Sequence, residues 1–134
     1  SKKNFIFNFD QYSNEKKISK SIEIVYGLRN FIGNANKFSK KTVYINLKSD
    51  SEITQITIED DGNGYPRDIL SKIGEPYLKS NDNTEKSKIG LGLGLFIGKT
   101  LLEKNFASVN CRNSKTRTGA EVIIKWKNSD LFNI

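Results

Sequence analysis

The segment Tyr26–Phe38, YGLRNFIGNANKF, constrains this chain more than any other stretch. At 3.6 residues per turn it and the residues just before it separate into two unlike faces. Ile24, Leu28, Phe31, Ile32, Ala35 and Phe38 form a wide apolar stripe suited to lie on a core. Glu23, Tyr26, Asn30, Asn34 and Lys37 stack on the other side at i, i+3 and i+4 spacings. Asparagine is a poor helix former because its amide competes for backbone hydrogen bonds. Two of them one turn apart, with a lysine above, point to a use beyond the helix itself. An amide oxygen can ligate a hard cation such as Mg²⁺, and an ammonium one turn away can pair with phosphate. The competing reading is a solvated polar face, the norm for amphipathic helices.

The rest of the chain supplies the scaffold. Residues 4–9 alternate with Phe5, Phe7 and Phe9 on one side, as a short strand does. The helix is expected to start near Ser19 or Ser21 and to run to about Ser39. Residues 42–48 and 53–59 alternate and read as a hairpin turned at Asp50-Ser51. The second strand runs into Asp60-Asp61-Gly62-Asn63-Gly64-Tyr65-Pro66, with Pro66 predicted at the first position of a short helix over 67–73. A polar loop over 79–89 precedes Gly90-Leu91-Gly92-Leu93-Gly94-Leu95, which is expected to open a helix reaching about Lys104. Leu95, Ile97, Leu101 and Leu102 can face its core side. Residues 107–113 and 120–127 close the chain as a hairpin, with Val122, Ile124 and Trp126 alternating. This order predicts an α/β two-layer sandwich, helices on one face of a mixed, mainly antiparallel sheet.

At 134 residues, 1–134 reads as a single domain. No run approaches the ~20 apolar residues of a membrane span, and no signal-peptide pattern opens the chain. The lone Cys111 cannot pair internally, so packing carries stability and a reducing, cytoplasmic compartment is expected. The net charge of +7 is scattered rather than gathered on one stripe, which argues against a nucleic-acid partner. It still favours small polyanions such as nucleotides. The chain has no His, which excludes His-based catalysis, His metal sites and a phosphoacceptor histidine within it.

Three readings of the glycine run compete. A dinucleotide fingerprint fails because position 95 is Leu, and a P-loop fails because only three residues separate Gly94 from Gly98-Lys99. What fits is a glycine-rich turn whose free amides, at a helix N-terminus, meet phosphate oxygens, with a plain hinge as the alternative. In DDGNG, Asp60 could be an ordinary turn residue. An EF-hand is excluded because Leu70 stands where a bidentate Glu is needed. A buried carboxylate at a strand end can accept a hydrogen bond from an exocyclic amine, which suits adenine, and glycines beside it let a flat base approach the backbone.

Together these stretches resemble the GHKL ATP-binding superfamily with its Bergerat fold, most closely the catalytic ATP-binding (HATPase_c) domain of two-component sensor histidine kinases. The N-box looks like residues 30–38, the G1 box like 60–64, the F-box like Gly74-Glu75-Pro76-Tyr77-Leu78-Lys79 and the G2 box like 90–95. The resemblance covers nearly the whole chain, and GEPYLKS with GLGLGLFIGKTLLE looks most like the redox-responsive RegB/PrrB kind. It implies that Asn34 ligates Mg²⁺ with Asn30 in support, that Lys37 contacts phosphate and that Phe38 packs near base or ribose. It implies that Asp60 takes the adenine amino group, that Gly62, Gly64 and Tyr65 line the base, and that Lys79, beside Tyr77, reaches the γ-phosphate. Gly90, Leu91, Gly92, Leu93, Gly94 and Leu95 would meet phosphates through the backbone. Three departures stand out: Tyr26 four before Asn30, Tyr65 in place of a small aliphatic residue, and Gly119-Ala120 in place of Gly-Ser/Thr.

The same fold serves ATP hydrolases, which carry Glu one turn before the metal-binding Asn. Here that position is Asn30, whose amide cannot act as a general base. Phosphoryl transfer to an imidazole acceptor needs mainly positioning and electrostatics, so Asn30, Lys37 and Lys79 are the candidate catalytic residues and Mg-ATP the expected cofactor. The resemblance implies an acceptor histidine on a separate dimerisation domain, so this chain is expected to be a fragment of a larger, membrane-anchored kinase with a response regulator as a further partner. Alternatives are a GHKL domain of another class, such as a serine-type kinase or an ATPase, or a basic binding module without nucleotide.

Overall fold

The structure is a computed structural model and describes residues 3–9, 22–73 and 86–131. Strand β1 (Asn4–Phe9) is followed by α1 (Ile22–Phe38), β2 (Thr42–Ser49), β3 (Ile53–Asp60), α2 (Arg67–Leu70), α3 (Lys86–Lys104), β4 (Ser108–Asn113), β5 (Ala120–Lys127) and α4 (Asn128–Leu131). The strands form one sheet in the order β1-β2-β3-β5-β4. β1 pairs with β2 in parallel and the other three pairings are antiparallel, as in the mixed α/β sandwich expected from the pattern. Among the described residues no helix is long and apolar enough to cross a membrane.

The period-2 pattern decides which face of the sheet is covered. Val43, Ile56, Ile58, Val122, Ile124 and Trp126 point to one side and are buried. Helices α1 and α3 pack on that side, meeting it with Ile24, Phe31 and Ala35 from α1 and Leu91, Leu95 and Leu102 from α3. Those are the i, i+4, i+7 and i+11 positions a buried helix stripe requires. Leu28, Ile32 and Phe38 are half-buried against the same cluster, so the apolar stripe of α1 is realised. On α3 the core row runs through Leu91, Leu95, Gly98 and Leu102, while Ile97 and Leu101 are only half-buried.

At the end of the sheet away from α2, the β2–β3 turn is held by Asp50, whose Oδ1 accepts from the amides of Glu52 (2.8 Å) and Ile53 (2.7 Å). Beside it the buried Thr54 hydroxyl donates to Asn128 Oδ1 (2.7 Å) and the Asn128 amide donates to the Asp50 carbonyl (2.8 Å).

Three boundaries differ from expectation. Pro66 has ψ 152°, so it stands as the N-cap before α2 rather than inside the helix, and α2 ends at Leu70 with turns to residue 73. Helix α3 begins at Lys86, ahead of the glycine run, so residues 90–95 lie within the helix rather than in a turn at its start. Tertiary packing of Leu91 and Leu95 on the sheet overrides the weak helix propensity of the intervening glycines. The expected helix starts at Ser19 or Ser21, the F-box and most of the 79–89 loop lie outside the described residues.

Candidate functional site

β3 delivers Asp60 to the covered face of the sheet, where it is only 4% exposed. Its Oδ1 accepts from the Gly62 amide (2.8 Å) and the Ala120 amide (3.2 Å). A Cβ at Gly119 would collide with the Asp60 backbone oxygen and with Oδ1, so glycine at 119 is what lets β5 start against the carboxylate. The second oxygen, Oδ2, has no hydrogen bond among the described residues. Burial pushes the Asp60 carboxyl above its ordinary range; the amides of Gly62 and Ala120 pull against it, and the charges of Asp61 and Glu59 add to it.

The next carboxylate does a different job. Asp61 Oδ1 accepts from the amides of Lys40 (2.8 Å) and Lys41 (3.1 Å), and Oδ2 from that of Thr42 (3.1 Å). It thereby ties the chain leaving α1 to the end of β3. Burial alone would raise its pKa, but the Lys41, Thr42 and Lys40 amides outweigh that and hold it below the usual value.

With α1 fixed in this way, Asn34 and Asp60 come to line one cavity of about 210 Å³. Phe38, Leu91 and Tyr65 form apolar walls, Ile58, Ala120 and Val122 line it from the sheet, and Asn63, Gly64 and Pro66 come from the loop after β3. Tyr65 is 7% exposed, and burial pushes its phenol well above the usual pKa, so it stays neutral. The arrangement is a mostly apolar pocket with one carboxylate, as small-molecule sites are built.

Asn34 is the second polar group. Its Nδ2 is buried without a hydrogen-bond partner, and α3 packs on it closely enough that a Cβ at Gly94 would stand 2.9 Å from that nitrogen. An unpaired buried donor costs about 1–3 kcal/mol, and a polar ligand would relieve it. The amide also fits a hard cation, because its oxygen is a hard ligand and Mg²⁺ takes its remaining ligands from phosphate and water. Among the described residues no cluster of three or more His, Cys, Asp or Glu could hold a metal by protein ligands alone.

Other candidate residues fall elsewhere. Asn30 donates from Nδ2 to the Tyr26 carbonyl of its own helix (2.9 Å), and the Lys37 ammonium lies 5.3 Å above the Phe38 ring; neither lines the cavity. Gly62 adjoins it through Asp60. Leu91 lines it, Gly94 packs on Asn34, Gly92 is half-buried, Leu93 is 45% exposed and Leu95 is a fully buried core residue. Tyr77 and Lys79 lie outside the described residues, and of Gly90 only its place in α3 is described. Asn63, Asp61 and Asn113 carry parts of the site that the sequence did not single out. Asp61 was visible only as the second acid of a turn, and Asn113 as a polar residue at a strand end.

The family model described as histidine kinase-, DNA gyrase B-, and HSP90-like ATPase matches residues 19–130. Sensor histidine kinase RegB of Cereibacter sphaeroides is 40% identical over 97 residues, 69% of this chain and 21% of RegB. Sensor protein kinase PilS of Pseudomonas aeruginosa is 32% identical over 99 residues, again 69% of this chain and 18% of PilS. The chain thus spans about a fifth of the length of these curated relatives. The solved structure of mycobacterial sensor histidine kinase MprB matches with a TM-score of 0.69 at 21% identity, over 92% of this chain and 80% of that one. The catalytic domain of histidine kinase ThkA matches with a TM-score of 0.68 at 17% identity, over 92% of this chain and 78% of that one. At such low identity these two likenesses establish the fold.

Proposed function

This chain belongs to the histidine kinase-, DNA gyrase B- and HSP90-like ATPase family, and from that premise we propose that it is the ATP-binding catalytic domain of a sensor histidine kinase. The observation that carries the proposal is the meeting of Asp60 and Asn34, 26 positions apart in sequence, on the walls of one cavity.

In this reading adenine enters the slot between Phe38, Leu91 and Tyr65. Asp60, with Oδ1 held by two amides, accepts from the exocyclic amine through Oδ2. The Asn34 amide oxygen, with phosphate oxygens, would hold Mg²⁺, which neutralises charge on the triphosphate. Lys37 and Lys79 supply positive charge toward the phosphates, and Asn30 supports Asn34 one turn away. The amides of Gly90, Gly92 and Gly94 belong to α3 in this structure, so phosphate contact through them requires the first turns of that helix to rearrange.

The γ-phosphoryl group passes to a histidine on a separate dimerisation domain, since this chain contains none. An attacking imidazole brings its own lone pair, so the domain needs charge stabilisation and alignment rather than a general base. Asn30, with no basic group, suits that demand and not water activation. The full-length protein is then a membrane-anchored kinase with this domain on the cytoplasmic side, phosphorylating a response regulator.

Isothermal titration with ADP and Mg²⁺ tests the reading. The wild-type chain is expected to bind, and Asp60→Asn to weaken binding by more than about tenfold, because an amide presents a donor to the purine amine. Absence of binding to the wild type, or an unaffected Asp60→Asn variant, would overturn it. The isolated chain is expected to take up no acid-labile phosphate from γ-labelled ATP.

A further inference from the structure

The loop that walls the cavity between Gly62 and Pro66 is held from outside itself. Asn113, the last residue of β4, reaches across to it and pairs with both backbone groups of one residue. Its Oδ1 accepts from the Tyr65 amide at 2.6 Å and its Nδ2 donates to the Tyr65 carbonyl at 3.3 Å. The side-chain amide thus satisfies the donor and the acceptor of Tyr65 as a neighbouring strand would.

The residue before Tyr65 is shaped to accept this contact. Gly64 has φ +80°, and a Cβ there would stand 2.6 Å from Asn113 Oδ1. Glycine is needed at 64 both for its backbone angle and for the room the Asn113 amide takes. Ala120, which pairs with Asn113 across β4 and β5, also touches Asp60 through its amide. The carboxylate and the loop beside it are therefore set by a single neighbouring segment.

We propose that Asn113 is a positioning residue for purine recognition: by clamping Tyr65 it fixes the wall of the slot against which the base registers on Asp60. The inference rests on the nucleotide reading above and adds to it a residue that touches no ligand. If Asn113 sets the register of the base, its loss should damage discrimination at the purine 6-position and not merely affinity. A residue serving only stability would weaken every nucleotide alike.

The experiment compares ADP with inosine diphosphate, which carries an oxygen in place of the 6-amino group. Titrations with each, in Mg²⁺, are run on the wild type, Asn113→Ala and Gly64→Ala. Asn113 is largely exposed, so its alanine variant is expected to fold, and a thermal melt checks this. The wild type should prefer ADP, and Asn113→Ala should lower that preference by roughly three- to tenfold, the scale of two partly exposed hydrogen bonds. Gly64→Ala, which pushes the clamp away from the other side, should give the same loss. Unchanged preference in a folded Asn113→Ala variant overturns this inference alone. A wild type that binds neither nucleotide overturns the nucleotide reading and the inference with it.

Discussion

At the end of β3 two adjacent carboxylates are perturbed in opposite directions. Asp61 is held below its ordinary value of 3.8 by three backbone amides, so its contribution to stability is complete above about that pH. It drains away as the pH falls through the lower folded-state value. Asp60 is raised above 3.8 by burial, so its contribution is present below 3.8 and is lost as the pH rises through the folded value. As the pH rises, Asp60 therefore works increasingly against folding while presenting the acceptor a purine needs. Asp60→Asn is expected to melt at or above the wild-type temperature at pH 7, with the difference closing below pH 3.8. Asp61→Asn is expected to lose about 1–2 kcal/mol at pH 7, shrinking in acid, since it weakens charge-assisted bonds to three amides. Thermal melts of the three proteins from pH 3 to 8 check both; a destabilised Asp60→Asn at pH 7 would contradict the assignment. By contrast, burial pushes the half-buried Cys111 thiol up to about 12, which keeps it protonated.

Helices α1 and α3 form the layer over the sheet, and their contact is made close by glycine. A Cβ at Gly98 would stand 2.8 Å from the Phe31 ring, and one at Gly27 would stand 2.8 Å from Leu102. Gly33, on the opposite side of α1, has open space around it. Gly33→Ala is therefore expected to stabilise by about 0.5–1 kcal/mol through helix propensity alone. Gly98→Ala, with the same propensity gain, is expected to destabilise by about 1–3 kcal/mol, because the buried Phe31 ring must shift to admit the methyl group. Urea titration of both variants decides the matter; similar midpoints would mean that the interhelical contact is looser than the distances imply. The amphipathic stripe of α1 was legible in the sequence because its apolar positions repeat at helical spacing. The start of α3 was not, since glycine and lysine carry no periodic signal and the helix is held by Leu91 and Leu95 on the sheet.

On the scale of the whole molecule, β3 is the middle strand and supplies both core and chemistry, with β2 on one side and β5 on the other. Trp126 on β5 is 1% exposed and donates its indole N–H to the Asn105 carbonyl (3.1 Å), linking the sheet to the segment after α3. Trp126→Ala is expected to cost about 3–5 kcal/mol, and unfolding followed by circular dichroism should lose helix and sheet together. A variant that lost only part of the signal would show that the two layers are separately stable. The strands, the hairpins and the residue types able to bind a base or a cation were determined by the sequence itself, because alternation, turn chemistry and side-chain functional groups are local properties. Tertiary structure alone decided that Asn34 shares a cavity with Asp60 while Asn30 and Lys37 do not, and that Asn113 clamps Tyr65 from 48 residues away. Such pairings depend on how the layers register against one another, and that register is set by core packing summed over residues far apart in the chain.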